Sequence, residues 1–520
     1  MGFLKSNSFV LKAAIFATGF AGIVAEYVLS TLATYFIGNS IFQWTMIVSL
    51  MLFCMGLGSR LSKKITKNLI QNFLILEVSL SLVVAFSSVI IYTIAAFSSY
   101  YEIFIYTLSM LVGLLIGLEI PLVVRINKEY EDLKSNISSI LEKDYYGSLL
   151  GGVFFAFIGL PILGLSYTPF VLGIINFLVA YIVLIRFKEK ITPKRRLTNL
   201  NLLLTVTFLG LLAGITFTKP IIQWGEQKKY KDKVVFSEQT KYQKIVLTEW
   251  KDEHWLYLNG NLQFCSIDEE MYHEPLVHPI MQLSKKPKDV LVLGGGDGCA
   301  VREILKYPTV QKIDMVDLDP KMTELGKENP ILININYGSM NSSKLNIYNK
   351  DAYNHLENDN TSFYDVIIID LPDPRNIELG RLYSHEFYTH CYRKLRPNGY
   401  IITQSGSPYF ATQAFNCINN TLSSVGFNTI PLHNQIISMG EWGWILGAKN
   451  TSKKVLKDQL KKLEFNNIDT KWINNEAMSL LTSFGKDSFF NQKKIDSTEI
   501  NKIHNPILYK YYLEGNWDLY

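Results

Sequence analysis

Hydrophobic positions are distributed unevenly along this 520-residue chain. Long apolar runs fill the first 220 residues, whereas the rest alternates Lys, Asp, Asn and Glu with short apolar stretches. Long runs are typical of membrane-spanning helices and short alternating ones of a soluble domain. The pattern predicts four parts: a transmembrane helical domain (1–220), a small β-strand domain (235–285), a Rossmann-like domain (286–450) and a C-terminal appendage (451–520).

A helix needs about 20 mostly apolar residues to cross a bilayer. The first such run, from Phe9 to Ile37, is longer than a signal-peptide core and contains Glu26, so we interpret it as a span and not as a cleaved signal. The chain is therefore predicted to be a multi-pass cell-membrane protein with an all-α bundle of about seven spans in the lipid bilayer. The predicted spans are 9–37, 41–59, 69–97, 101–124, 145–164, 167–186 and 197–218.

Basic residues occur in alternate loops, after the second, fourth and sixth predicted spans. The positive-inside rule then places the amino terminus in the cytoplasm. Seven spans would put everything after residue 218 on the outer face, away from cytosolic metabolites. Two interpretations remain: either 197–218 does not cross fully, or the second half of the chain is extracytoplasmic.

Three glutamates, Glu26, Glu77 and Glu119, lie within apolar stretches of the predicted spans. A carboxylate is costly there and usually faces a partner, a polar cavity or a ligand path. The three residues either line a path for a polycation or only join helices through hydrogen bonds.

The second half begins with two predicted strands, 243–250 and 254–259, with turns at 251–253 and Asn259-Gly260. From Asp289 onward, short Val/Ile/Leu strands alternate with helical stretches. This alternation is typical of a parallel sheet with crossover helices. We therefore expect a small β-domain followed by an α/β, Rossmann-like domain of the methyltransferase type.

A glycine-rich turn, Gly294-Gly-Gly296-Asp297-Gly298, follows the strand 290–293. Glycines at such a turn let the backbone approach a ligand, and an acidic residue about 20 positions on can bind the hydroxyls of a ribose. Asp317 occupies that position. By itself the turn fits methyltransferases and dehydrogenases equally well, and it also fits a plain tight turn.

Further aspartates follow two later strands: Asp351 after 345–348, and Asp370 and Asp373 after 364–369. In an open α/β sheet the ligand lies outside the carboxyl ends of the strands, so these side chains should converge there with Asp297 and Asp317. Five carboxylates require a cation. Magnesium is one candidate, but the glycine turn favours an organic cation, and we predict no metal.

The residues 294–319, the Asp370 to Asp373 box, Tyr242-Gln243 and the triplet Tyr272-His273-Glu274 together resemble spermidine synthase, the polyamine aminopropyltransferase family. Asp144-Tyr-Tyr-Gly147, which leads into a span, resembles the multi-pass membrane subclass of that family. The resemblance implies transfer of an aminopropyl group from decarboxylated S-adenosylmethionine, as co-substrate, to putrescine. Spermidine and methylthioadenosine are the implied products, and no other cofactor is expected.

The resemblance also implies roles for individual residues. Asp370 would be the proton acceptor. The nucleoside would contact Gln243, Gly294, Gly296, Asp317, Asp351 and Ala352. The polyamine or aminopropyl part would contact Tyr272, His273, Asp297 and Asp373.

Some of these residues also have plainer interpretations. Tyr272 and His273 precede an apolar stretch and could be core side chains, and Asp319 before Pro320 is a predicted helix N-cap. Gln263 either touches the nucleoside or only closes a hairpin.

The chain departs from the family pattern around the acceptor. The stretch 437–443 lacks the tyrosine that commonly precedes Pro-Ser-Gly, Asn259 stands where many members have Asp, and 376–380 replaces a Gly-Pro-rich turn. Putrescine, cadaverine, spermidine and agmatine therefore all remain possible acceptors. We expect the aromatic-rich tail 451–520 to fold, without assigning it chemistry.

The remaining composition narrows the possible partners. The net charge is only +5, and no basic stripe is interleaved with aromatics, which argues against nucleic acid. Five scattered cysteines suggest neither a disulfide framework nor a zinc site. We expect a homo-oligomer. Two other functions stay open: a membrane-bound S-adenosylmethionine methyltransferase, and a polyamine transporter or sensor.

Overall fold

The computed structural model describes residues 7–38, 40–98, 100–358, 362–485 and 498–517. These residues form two compact units, which divide between residues 234 and 235. The predicted tail positions 486–497 and 518–520 lie outside the described residues.

In the described residues up to Lys229, the secondary structure of the first unit is helical, as its apolar runs predict. Six helical segments are long and apolar enough to cross a membrane, and one of them, 133–190, contains 58 residues. A π-helical stretch, Phe155–Leu163, ends that segment's first helix, and Gly164 (φ +65°) begins its second. The helices are α1 (Asn7–Ile37), α2 (Ser40–Leu61), α3 (Leu69–Phe97), α4 (Tyr101–Asn127), α5 (Leu133–Phe154), α6 (Gly164–Phe187) and α7 (Lys194–Lys229).

Close contacts fix the directions of these helices. A Cβ on Gly147 of α5 would lie 2.0 Å from the Phe16 carbonyl oxygen of α1, and one on Gly151 would lie 2.6 Å from that of Phe20. Because the residue numbers rise in the same direction along both helices, α5 runs parallel to α1.

The chain then reverses at Gly164. Ser88 of α3 donates to the carbonyl oxygen of Leu165 (2.6 Å), and Ser81 donates to that of Gly173 (2.7 Å). Along α3 the residue number falls from 88 to 81, while along α6 it rises from 165 to 173, so α6 is antiparallel to α3. Two helices, not one long one, therefore occupy residues 133–187.

The glutamates of the predicted spans take two kinds of position in this bundle. Glu77 and Glu119 are buried, and Glu26 is half-buried. Burial between helices fits both of their interpretations, so a polycation path stays a prediction.

The second unit contains a four-stranded sheet in the order β1-β2-β3-β4 and a seven-stranded sheet in the order β10-β11-β9-β8-β5-β6-β7. Strands β5 to β9 are parallel, whereas β11 is antiparallel to both of its neighbours. The predicted Rossmann-like sheet and the small sheet before it are both present. The strands are β1 (Lys233–Gln239), β2 (Lys244–Trp250), β3 (Glu253–Leu258), β4 (Asn261–Cys265), β5 (Asp289–Gly294), β6 (Lys312–Asp317), β7 (Leu345–Asn349), β8 (Tyr364–Asp370), β9 (Leu395–Gln404), β10 (Asn428–Ile436) and β11 (Gly440–Ala448).

Helices cover both faces of the large sheet, which buries an apolar core on each side. The helices are α8 (Glu270–Leu283), α9 (Cys299–Leu305), α10 (Pro320–Glu328), α11 (Pro330–Asn336), α12 (Ala352–Asn358), α13 (Ile377–Gly380), α14 (His385–Lys394), α15 (Thr412–Ser424), α16 (Lys453–Leu460), α17 (Asn475–Leu481) and α18 (Leu508–Leu513).

The described parts of the tail belong to these two cores. Leu456 and Leu481 join the core on one face of the sheet, and Leu508 and Tyr512 join the core on the other. The tail is thus divided between the faces and is not a separate appendage.

Candidate active site

The predicted aspartates lie at one edge of the large sheet. Asp317 and Asp370 end the parallel strands β6 and β8, and Asp297 follows β5 between them. Asp351 follows β7, the neighbour of β6. Gly294, the last residue of β5, is in register with Asp370. The strand order therefore brings these carboxylates to one edge of the sheet, where a ligand of an open α/β sheet is expected.

The glycine turn fits tightly at this edge. Gly294 has φ +86°, and a Cβ there would lie 2.0 Å from the Asp370 carbonyl oxygen. A Cβ on Gly296 would lie 2.7 Å from the Asp317 carboxylate. Position 294 therefore requires glycine, whereas a side chain at position 296 would displace the Asp317 carboxylate.

Asp370 is the centre of the acidic group. Tyr272 donates a hydrogen bond of 2.7 Å to its Oδ1, and its Oδ2 lies beside Gly295. One ligand atom each from Asp370, Asp297 and His273 lie within 4.8 Å of one another. Burial raises the pKa of Asp370 to about 6, with Asp297 adding to the rise while His273 and Tyr272 oppose it.

His273 carries a positive charge that the neighbouring carboxylates balance. Its Nδ1 lies 2.7 Å from Oε2 of Glu269. Burial alone would lower the pKa of His273, but Glu269, then Asp297 and Asp370, raise it to about 9. The imidazole is therefore cationic at neutral pH, held between three carboxylates.

A buried network of ion pairs holds Glu269, the partner of His273, in place. Arg302 bonds both oxygens of Glu269 (2.5 and 3.0 Å) and Oε1 of Glu303 (2.7 Å), while His278 bonds Oε2 of Glu303 (2.8 Å). No role was predicted for Arg302 or Glu303 from the sequence. The spacing of Glu269 and His273, four residues apart at the start of α8, was an available signal.

Asp317 and Gln243, two of the predicted nucleoside contacts, are linked through Asp319. Burial raises the pKa of Asp317 to about 6. Its Oδ1 accepts from the backbone N–H of Asp319 (2.9 Å), and Asp319 in turn accepts from the amide of Gln243 (3.1 Å). Asp319 also caps α10 through the Lys321 N–H, which confirms the predicted N-cap.

The remaining predicted contacts are arranged as follows. Asp351 caps the segment that begins α12 and pairs with Arg381, and Ala352 beside it is buried. The Gln263 amide donates to its neighbours Asn261 and Leu262, as expected for a residue that closes a hairpin.

Asp373, the predicted acceptor-side carboxylate, has partners that the sequence did not indicate. Tyr512 of α18 donates to its Oδ2 (2.7 Å), and Arg375 lies 3.4 Å from the same oxygen. The amide of Gln404 lies 3.4 Å from Oδ1. Tyr512 is 139 residues away in sequence, so no local pattern could have revealed it.

The described residues also include a second buried group with metal-like spacing, Glu274, His278 and Glu303. The carboxylate of Glu274 accepts the backbone N–H groups of residues 471–473, and Glu303 is paired with Arg302. These contacts give the group a structural role. The predicted lack of a metal stays a prediction.

Comparisons with known proteins agree with this geometry. The family described as Spermine/spermidine synthase domain matches residues 269–461. The chain is 41% identical to polyamine aminopropyltransferase 2 of Aquifex aeolicus, covering 98% of this chain and 99% of that protein. The polyamine aminopropyltransferase of Leptospira interrogans is 38% identical, with 96% of each chain covered. The chain belongs to the polyamine aminopropyltransferase family.

Solved structures similar to this aminopropyltransferase include a spermidine synthase in complex with the transition-state analogue AdoDATO. It is 27% identical and covers 51% of this chain and 88% of its own, with a TM-score of 0.45. The spermidine synthase of Thermotoga maritima is 26% identical, with the same coverage and TM-score.

Family membership decides between the aminopropyltransferase and the methyltransferase that the sequence analysis left as alternative functions. This aminopropyltransferase is an enzyme of the spermidine synthase type, and not a methyltransferase. Its relatives match over the helical unit as well as over the catalytic one.

Proposed function

We propose that this enzyme transfers the aminopropyl group of decarboxylated S-adenosylmethionine to putrescine and releases spermidine and methylthioadenosine. The proposal is carried by the group of Asp297, His273 and Asp370, which lies beside the glycine turn. A cationic donor and a cationic acceptor both need carboxylates at the reacting carbon. No further cofactor takes part.

The donor occupies the side of the crevice formed by β5, β6 and β7. The glycine turn approaches the nucleoside closely, and Asp317 holds its ribose hydroxyls. Gln243 supports that strand end through Asp319, and Asp351 with Ala352 borders the adenine.

Asp297 gives the site its preference between donors. Decarboxylated S-adenosylmethionine ends in an amine where S-adenosylmethionine has an amino acid head. The Asp297 carboxylate attracts that amine and repels the additional carboxylate of S-adenosylmethionine.

The chemical step is a direct displacement. A lone pair of the acceptor nitrogen forms a bond to the aminopropyl carbon attached to the sulfonium. The carbon–sulfur bond breaks, and its electron pair neutralises the sulfur, so methylthioadenosine leaves without needing an acid. The acceptor nitrogen must give up one proton before the attack to free that lone pair, and the secondary ammonium of the product keeps its two remaining protons.

Asp370 accepts the proton of the acceptor amine. An alkyl amine has a pKa near ~10.4 and is almost wholly protonated at neutral pH, so it needs a base to become a nucleophile. Tyr272 holds Oδ1 of Asp370, which leaves Oδ2, beside Gly295, to accept the proton. Asp373 anchors the attacking amine, and His273 with its carboxylates orients the distal end.

Donor choice tests this proposal. Purified full-length enzyme is incubated with putrescine and either sulfonium donor, and the released nucleoside is identified by chromatography. We expect methylthioadenosine from the decarboxylated donor and no S-adenosylhomocysteine from S-adenosylmethionine. Release of S-adenosylhomocysteine would contradict the proposal.

A matched variant tests the role of Asp297. Asp297→Asn keeps the acceptor oxygen for the Cys299 N–H (2.8 Å in the native chain) but removes the charge. The KM of the decarboxylated donor should rise about tenfold or more, since hydrogen bonds to charged groups contribute about 1.5–3 kcal/mol. An unchanged donor KM would remove Asp297 from this role.

We further propose that the helical unit lies in the cell membrane with seven spans. Helix α7 packs along the whole bundle: a Cβ on Gly214 would lie 2.4 Å from the Phe170 ring, and one on Gly225 would lie 2.9 Å from the Tyr92 carbonyl oxygen. Such packing supports a complete crossing by α7. Residues after 229 would then emerge opposite the basic loops.

Single cysteines test this topology. The five native cysteines are buried, so Glu189→Cys in a basic loop and Asp252→Cys in the catalytic unit can be compared with an impermeant maleimide on intact cells. We expect Asp252→Cys alone to react. Labelling of both or of neither on intact cells would contradict seven spans. The expected homo-oligomer stays a prediction that mass photometry can test.

A further inference from the structure

The C-terminal segment 498–517 is anchored against the catalytic unit at Asn501. The buried Asn501 receives a hydrogen bond from His385 N–H to its carbonyl oxygen (2.9 Å), and its own N–H donates to Thr421 (3.0 Å). Its side-chain amide donates to the Gly380 carbonyl oxygen (2.8 Å). These contacts tie the segment to α14, to α15 and to α13, the short helix that follows Asp373.

From this anchor, α18 carries Tyr512 into the core. Tyr512 is 3% exposed, and its ring lies 4.7 Å from that of Trp517. Trp517 donates to the Tyr512 carbonyl oxygen (2.7 Å), and Asn516 N–H donates to that of Phe410 (2.7 Å). The Tyr512 hydroxyl is therefore held in a fixed place.

That hydroxyl meets the acceptor-side carboxylate. It donates 2.7 Å to Oδ2 of Asp373, whose side chain is only 10% exposed. The Arg375 guanidinium lies 5.6 Å from the centre of the Tyr512 ring and also contacts Asn261 of β4. One carboxylate oxygen is thus occupied by the tail, whereas the other, among the described residues, has only the 3.4 Å contact with Gln404.

We propose that Tyr512 is a positioning residue for the acceptor amine and that it acts through Asp373. The inference rests on the proposed function, since it takes Asp373 as the anchor of the attacking amine. A short hydrogen bond to a charged group fixes the rotation of the carboxylate. Oδ1 is then presented to the incoming ammonium. The acceptor pocket therefore includes segment 498–517, which lies beyond the matched family domain 269–461.

Ring burial alone could also explain why Tyr512 is present, so the test must separate its hydroxyl from its ring. Tyr512→Phe keeps the packing against Trp517 and removes only the bond to Asp373. Tyr511→Phe, one position earlier on α18, is the matched control. Full-length enzyme is assayed for acceptor KM, kcat, donor Kd and Tm.

For Tyr512→Phe we expect the KM of putrescine to rise about tenfold, the loss of roughly one charge-assisted hydrogen bond. Donor Kd and Tm should stay at the wild-type values, as should all four quantities in Tyr511→Phe. An unchanged putrescine KM would overturn the inference. A donor Kd that weakens in parallel would also overturn it, because that result indicates a general structural role.

A double variant tests whether the effect passes through Asp373. Adding Tyr512→Phe to Asp373→Asn should raise the KM less than about threefold, because the partner of the hydroxyl is already altered. A full, multiplicative effect would overturn the inference. If wild-type enzyme released no methylthioadenosine, the proposed function would fail and this inference with it. If the wild-type enzyme is active and Tyr512→Phe has an unchanged putrescine KM, the inference about Tyr512 is rejected while the proposed function stands.

Discussion

Replacing Asp370 by asparagine removes the proton acceptor while leaving its surroundings in place. Asparagine keeps an oxygen for the 2.7 Å hydrogen bond from Tyr272, so the strand end should not rearrange. What is lost is the charge and the ability to take the amine proton. General-base catalysis is typically worth about 10²- to 10⁴-fold, or about 2.7–5.4 kcal/mol in the barrier. We therefore expect kcat to fall by about 10²-fold or more.

The assay follows methylthioadenosine release at saturating donor and putrescine, with donor Kd measured separately by calorimetry. Asp365→Asn, at the opposite end of β8, is the control. Asp365 accepts the N–H groups of Lys288 and Asp289 and pairs with Arg396, so its variant should lower Tm and spare kcat. If kcat of Asp370→Asn stayed within threefold of wild type with donor Kd unchanged, Asp370 would not be the base.

Three further outcomes follow from the site. Burial raises the pKa of Asp370 to about 6, and only the ionised carboxylate accepts a proton. The kcat/KM for putrescine at saturating donor should therefore fall as the pH drops through about 6. A flat profile from pH 5 to 7 would count against Asp370 as the base. Gly296→Ala places a Cβ 2.7 Å from the Asp317 carboxylate, so donor Kd should weaken at least about tenfold by calorimetry with little change in Tm; unaltered donor binding would move the nucleoside elsewhere. Arg302→Met removes one of the two cations that contact the buried Glu269, the other being His273, and should lower the stability by up to about 3–5 kcal/mol, seen as a lower Tm; a wild-type Tm would show the network to be dispensable.

The sequence located the helices well but not their ends. Hydropathy measures the stretch that can lie in lipid, so it predicted 145–164 and 197–218. Helix α5 begins earlier, at Leu133, and α7 continues through Pro220 to Lys229. Polar helical turns beyond an apolar stretch carry no hydropathy signal.

Some residues of the site could also be predicted from the sequence, and others could not. Asp297, Asp317 and Asp370 could be predicted because strands of a parallel sheet end at one edge, and the residue after each strand is readable from local pattern. Tyr512 and Arg302 could not, because their contacts with Asp373 and Glu269 depend on how distant segments pack. The hydroxyl that contacts Asp373 comes from the C-terminal tail.

The central claim is the identity of the transferred group, and product stoichiometry tests it most directly. Full-length enzyme is mixed with putrescine and decarboxylated S-adenosylmethionine, and both products are quantified by mass spectrometry. The account predicts spermidine and methylthioadenosine in a one-to-one ratio. Asp370→Asn should form less of both products and should not form one without the other. Methylthioadenosine without spermidine, or a methylated amine in its place when S-adenosylmethionine is supplied, would contradict it.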